Sequence, residues 1–196
     1  MPNKHSASIE VFEGKTDIEI WKDFNNGDEI AFNYIYRLNV ENMFHFGTQF
    51  TDDHLLVQDS IQNIFIFLRK KRGELSEVKS IKAYLFKILQ RKLIREITRD
   101  NGKKKVLAGV MDDNLFSIEV SHETKLIQSE KTAELQNKLQ SALDQLTPRQ
   151  RQAILLLYHE GMNYSEVAEV MELHKVKSAR KIIYRALARL KELLVE

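Results

Sequence analysis

The sequence predicts an all-α protein of two small helical domains joined by an acidic linker, the C-terminal one a helix-turn-helix. Three observations carry this. Gly (7) and Pro (2) are scarce among 196 residues, which disfavours an all-β fold. Apolar residues recur at three- and four-residue spacing in one segment after another, the signature of amphipathic helices. Charge falls in blocks: residues 1–68 hold 4 Lys/Arg against 11 Asp/Glu, 69–105 hold 14 against 4, 106–146 hold 3 against 7, and 147–196 hold 9 against 6. Such alternation assigns different jobs to different stretches.

Residues 1–16 are aperiodic and expected to form a flexible N-terminus. The first domain spans 17–100. A helix begins at Asp17 with Ile18, Trp21 and Phe24 at core spacing, and Asn25-Asn26-Gly27 breaks it. Asp28 caps a second helix, with Ile30, Ala31, Tyr34, Ile35 and Leu38 on one face. Thr51-Asp52-Asp53 caps a third, running to about Arg72 with Ile61, Ile64, Phe65 and Leu68 inward. A loop follows, and Ser80 caps a long helix from Ile81 to about Arg99. Residues 101–129 read as the linker. The second domain, 130–196, opens with a helix from Glu130 carrying Leu135, Leu139, Leu143 and Leu146. Thr147-Pro148 starts the next, with Pro at the first helical position, and it runs to Gly161. A short helix over Ser165–Met171 and a long one over about Ser178–Leu194 complete the chain.

Several function classes are excluded by residue content. There are no cysteines, so no disulfides, thiol nucleophiles or zinc fingers. No Gly-rich phosphate loop, nucleophile elbow or HExxH helix occurs, and the six histidines lack metal-ligand spacing. No enzyme, metal, cofactor or small-molecule substrate is expected. The N-terminus lacks a signal-peptide apolar run, and nothing approaches the length of a membrane span. A cytoplasmic protein is the expectation.

What remains is cationic surface. In the last helix Ala179, Ile182, Ile183, Ala186 and Leu190 form an inward stripe, leaving Lys177, Ser178, Arg180, Lys181 and Arg185 outward. An apolar inner face behind a basic outer one suits a helix entering a major groove. In the first domain Lys87, Arg91, Arg95 and Arg99 recur every four residues as one ridge, extended by Lys92. Tyr84 and Phe86 lie among them, each read first as a core residue and otherwise as a platform on which unpaired bases stack. Asp59 and Gln62 share a face of the preceding helix, with Phe65 close by.

Taken in order, these segments resemble the extracytoplasmic-function sigma factors of bacterial RNA polymerase. The residues that carry the resemblance are Ala31-Phe32 with Asp59-x-x-Gln62-x-x-Phe65, then Tyr84-Leu85-Phe86-Lys87-Ile88, then Leu143-Asp-Gln-Leu146-Thr147-Pro148-Arg149-Gln150-Arg151, Tyr158-His-Glu160-Gly161-Met-Asn-Tyr164-Ser165-Glu166-Val167-Ala168 and Tyr184-Arg185-Ala186-Leu187. The resemblance implies that Asp59, Gln62 and Phe65 dock on core polymerase. It implies that the loop Gly73–Lys79 and the helix bearing Tyr84, Lys87, Arg91, Lys92, Arg95 and Arg99 capture the −10 element as a single strand. Lys177, Ser178, Arg180, Lys181 and Arg185 would read the −35 element as duplex. The implied partners are core RNA polymerase and promoter DNA, and the sequence leaves an anti-sigma factor open. Two departures stand out: Arg91 and Arg95 replace the usual Asn and Asp, and Glu172 occupies the turn position that is usually Gly. That turn is expected to be one residue longer than usual. The other readings are a helix-turn-helix regulator acting on duplex DNA without polymerase, and a purely structural helical protein. The first leaves residues 55–99 idle, and the second leaves both basic surfaces unexplained.

Overall fold

The computed structural model describes residues 12, 14–100, 116–117 and 130–195, except for the side chains of residues 100 and 130–133. Among these residues every regular element is helical. The chain divides into two compact units, one of Met1–Thr48 with Asp53–Gly102, the other of Gln49–Asp52 with Lys103–Glu196.

In the first unit α1 spans Asp17–Asn25 and starts in a capping box: Glu19 N donates to Thr16 Oγ1, and Thr16 N donates back to Glu19 Oε2. The residues preceding it are not all loose, since Phe12 is buried and its ring packs 5.1 Å from that of Tyr34. Helix α2 runs over Glu29–Thr48, with Asp28 Oδ1 accepting from Ile30 N and Ala31 N. Its buried face differs from the expected one. Ala31, Ile35, Asn39, Met43 and Phe46 point inward, whereas Ile30 and Leu38 are 49% and 61% exposed. The stripe follows a four-residue ladder from Ala31, and a polar residue fills the third rung. Asn39 is tolerated because its amide donates to the Ile35 carbonyl at 2.8 Å, so nothing polar is left stranded.

Helix α3 covers His54–Lys70, capped by Asp53 Oδ1 accepting from Leu56 N. Helix α4 covers Ile81–Asp100, with Ser80 Oγ accepting from Ala83 N. Helices α2, α3 and α4 pack mutually, and α1 lies on α2 and α4. Gly47 marks a close approach: a Cβ there would sit 2.5 Å from Val57 Cγ1 and 3.4 Å from Leu93 Cδ1. Phe86 belongs to this core, fully buried with its ring 4.7 Å from that of Phe46. It is therefore unavailable for base stacking, and of the two readings the sequence left open it takes the core one.

In the second unit α5 spans Glu130–Asp144 and α6 spans Pro148–Ile154, the latter opening in a Thr147/Gln150 capping box. A single π-turn, Leu155–His159, extends α6, and Glu160 N closes it on the Leu155 carbonyl at 3.0 Å. Helix α7 covers Tyr164–Val170 and α8 covers Val176–Val195. Both begin earlier than the spacing predicts, because Asn163 caps α7 and Lys175 O accepts from Ser178 N at the head of α8. Helix α8 packs on α5, α6 and α7 through Ala179, Ile183, Ala186 and Leu190. Arg151 gathers three carbonyls: Nη1 donates to Asp144 O and Leu146 O, and Nη2 to Phe116 O. Phe116 is buried edge-on to Phe50, so the residues read as linker contribute at least one core side chain to this unit. The rest of 101–129 lies outside the described residues.

Candidate nucleic-acid interface

Four surfaces collect the residues singled out from the sequence. The first is a groove of about 620 Å³ along α2 and α3, with Asp59, Gln62 and Phe65 among its lining residues. Asp59 and Gln62 are exposed at its edge, one helical turn apart. Phe65 is 4% exposed and holds the floor through ring contacts with Tyr36 at 4.9 Å and Phe32 at 6.1 Å. The structure thus brings all three to one concavity, two as polar rim and one as apolar base.

The second is the loop between α3 and α4, whose shape is held by side chains of α1. Asn25 grips it at two points, accepting from Gly73 N at 2.7 Å and donating to Leu75 O at 3.1 Å. Trp21 Nε1 donates to Ser76 O at 2.9 Å, and Ile81 N donates to Asp17 Oδ2 at 2.7 Å. Arg72 closes the near end. Its guanidinium lies over the rings of Phe24 and Phe32, donates to Gly27 O, and pairs with Glu29 at 2.8 Å. The hydrogen bond from Arg72, seconded by Arg69, holds the Glu29 carboxyl below its ordinary value of 4.5. None of these α1 residues was identified from the sequence as serving the loop. Their partners are backbone atoms about fifty or more positions away, which leave no spacing signal.

The third surface is the α4 ridge. Arg91, Arg95 and Arg99 are exposed along it, with Lys87 and Lys92 half-buried. Arg99 pairs with Glu96 on its own helix at 2.6 Å. Tyr84 is half-buried with its ring edge-on to Trp21 at 5.3 Å, and burial pushes its hydroxyl pKa up. Part of its surface is therefore committed to packing.

The fourth is α7, the turn and α8. Asn163 Oδ1 accepts from Ser165 N and Glu166 N, and Glu166 Oε2 accepts from Asn163 N, which fixes the start of α7. At its end Glu172 adopts φ 53°, the one left-handed non-glycine among the described residues. Glu172 N donates to Glu169 O and Leu173 N to Ala168 O, the paired bonds of a Schellman turn. Lys177, Ser178, Arg180, Lys181 and Arg185 all emerge exposed on α8, opposite the buried Ala179, Ile183 and Ala186; Ile182 is half-buried between the two faces. The Arg180 guanidinium lies over the ring of Tyr164 at 5.2 Å. The Tyr164 ring packs against that of Tyr184, centroids 6.5 Å apart, and the neighbouring Tyr184 hydroxyl holds the Tyr164 pKa above the ordinary 10.0. Tyr164 and Tyr184 were legible as motif members but not as partners of Arg180.

A short capped helix, a left-handed turn and a long basic helix packed across it define a helix-turn-helix DNA-binding unit. Residues 136–190 match the family model for sigma-70, region 4, and this unit is a region 4 domain. The chain is 23% identical over 161 residues to the ECF RNA polymerase sigma factor SigM of Bacillus subtilis (strain 168), covering 81% of this chain and 92% of that protein. Its fold is similar to that of CnrH, solved in complex with the cytosolic domain of CnrY, at a TM-score of 0.58 and 22% identity, over 91% of this chain and 96% of that one. It is also similar to the sigma factor RpoE of Bartonella quintana, solved with the anti-sigma factor NepR, at a TM-score of 0.56 and 23% identity, over 83% and 96%. The resemblance to extracytoplasmic-function sigma factors therefore holds in sequence and in fold, and the polymerase-free regulator is not favoured. No described helix is long and apolar enough to cross a membrane.

Proposed function

We propose that the protein is an alternative sigma factor: it binds core RNA polymerase, directs it to specific promoters and promotes DNA opening. One observation carries the reading. A region 4 helix-turn-helix shares its chain with a separate helical unit that presents a groove and a basic ridge, and a duplex-binding regulator has no use for the second unit. Residues 17–100 act as the polymerase- and −10-binding domain, 101–129 as linker and 130–196 as the −35-binding domain. The groove edge at Asp59 and Gln62, over Phe65, docks on polymerase. The Gly73–Lys79 loop and Tyr84, Lys87, Arg91, Lys92, Arg95 and Arg99 engage the opened −10 strand, the cations through phosphates. Lys177, Ser178, Arg180, Lys181 and Arg185 contact the −35 duplex. Each domain binds DNA weakly, and tethering both to one polymerase raises the effective concentration of the second contact. The protein works in the cytoplasm as a regulator without catalysis of its own. The likeness to sigma factors solved with CnrY and NepR supports an anti-sigma protein as a further partner.

The test is co-purification with core polymerase followed by permanganate footprinting of a promoter. Reversing the charge of Asp59 together with Gln62→Ala should weaken capture by core enzyme while helical content stays intact. Changing Arg91 and Arg95 to Ala should reduce melting more than polymerase binding, and lower the salt slope by about one unit per lost phosphate contact. A chain that binds promoter duplex but never core enzyme would return the regulator reading.

A further inference from the structure

We propose that Tyr164 is a positioning residue for DNA reading: its ring fixes the plane of the Arg180 guanidinium, so the base that Arg180 selects depends on a side chain of the neighbouring helix. This rests on the reading of α8 as the −35 helix. Arg180 is exposed, and an exposed arginine on a helix ordinarily samples many rotamers. Here its guanidinium lies 5.2 Å from the centroid of the Tyr164 ring. That ring is itself supported from two sides. Its backbone is the first residue of α7, locked by the Asn163/Glu166 capping box. Its ring packs against Tyr184, which sits one turn beyond Arg180 on α8. The ring centroids of Tyr164 and Tyr184 lie 6.5 Å apart, so the three side chains form one continuous assembly across the two helices.

The consequence concerns selectivity more than affinity. A guanidinium discriminates best when its planar fork meets the O6 and N7 acceptors of guanine in the major groove edge-on. Stacking on an aromatic face leaves that edge free while restricting the plane. The ordering cost is then met before DNA arrives, and only bases that match the preset plane gain from it. Lys181, beside it on the helix, has no such support and a flexible stem, which suits a contact that tolerates any sequence.

The experiment uses full-length protein assembled with core polymerase and a promoter pool randomised at the −35 element, with bound DNA sequenced. Arg180→Ala should erase the preference at one base position and so identify it. Tyr164→Leu should reduce the preference at that same position by about two- to fivefold, the size of an exposed cation–π contact, and leave the other positions as in the wild type. Tyr164→Phe, which keeps the π face, should restore it. Tyr164→Gln serves as the second ring-free variant should the Leu protein fold poorly, judged by circular dichroism. Wild-type preference in both ring-free variants, where Arg180→Ala has erased it, overturns the proposal alone. An equal loss for all sequences in Tyr164→Phe and Tyr164→Leu also overturns it, and makes the hydroxyl a phosphate contact. If Arg180→Ala leaves the selected motif unchanged, the assignment of the reading surface fails and the proposal falls with it.

Discussion

The backbone N–H of Leu173 donates to the carbonyl of Ala168 at 2.8 Å, closing the turn between α7 and α8 around Glu172. That closure needs a left-handed residue, and Glu172 supplies it at φ 53° despite its Cβ. An L-residue there costs roughly 1–2 kcal/mol that glycine avoids, partly offset by the greater freedom of glycine in the unfolded chain. Glu172→Gly should therefore be more stable than Glu172→Ala by about 1 kcal/mol. The two share the loss of the carboxylate, so their difference isolates the backbone term. Hydrogen exchange of the α7 and α8 amides measures it, and equal protection in both variants would show that the turn is unstrained.

Gly47 offers a test of the first core. A methyl group there would meet Val57 Cγ1 at 2.5 Å, with Leu93 Cδ1 on the other side. Gly47→Ala gains helix propensity, but overpacking at a three-helix contact costs about 1–3 kcal/mol and outweighs it. The sole tryptophan, Trp21, is buried in the same unit and reports the unfolding by fluorescence in a urea titration. A midpoint at or above that of the wild type would mean Val57 moves aside freely.

The Glu29 carboxylate gives a pH dependence with a definite sign. Arg72 and Arg69 hold its pKa below the ordinary 4.5 in the folded protein. Its contribution is then fully present above 4.5 and is lost as pH falls through the lower folded value. The melting-temperature advantage of wild type over Glu29→Gln should be open at pH 7 and close as the pH is lowered below about 4.5. Glu29 and Arg69 are exposed, so added salt should shrink the difference at pH 7, with the half-buried Arg72 preserving part of it. A constant difference across the titration would assign the effect to packing.

Asn25 separates loop shape from fold. Asn25→Ala removes the contacts to Gly73 N and Leu75 O but no core atom. Binding of a single-stranded −10 oligonucleotide by the assembled polymerase should weaken about tenfold, matching one to two net hydrogen bonds. Capture by core enzyme and selection at the −35 element should stay as in the wild type. Loss of all three activities together would make Asn25 a folding residue.

Local chemistry made much of this architecture readable in advance. Asp53, Ser80 and Thr147-Pro148 announce helix starts because a cap acts within three residues of itself. Ala179, Ile183, Ala186 and Leu190 announce the inner face of α8 because its apolar stripe is clean. The α2 face was misread where the ladder carries Asn39, since a buried amide satisfied by its own helix looks polar in sequence. Phe86, beside basic neighbours, reads as either core or stacking platform, and the packing of α2 on α4 decides for the core by enclosing it with Phe46. The Arg180–Tyr164 contact and the Asn25 grip were invisible because they join positions that only the folded chain brings together.

Every bond from α1 to the α3–α4 loop ends on a backbone atom: Gly73 N, Leu75 O, Ser76 O and, at its far end, Ile81 N. Apart from Arg72 at the near end, the loop's outline is therefore written in Asp17, Trp21 and Asn25, outside the loop itself. Of its exposed side chains, Glu74 pairs with Lys71 inside the loop, whereas Ser76, Glu77 and Lys79 take no part in these bonds. The loop behaves as an interchangeable cartridge in a fixed holder. New residues at Ser76, Glu77 and Lys79 can alter the surface the loop presents without refolding the helices around it.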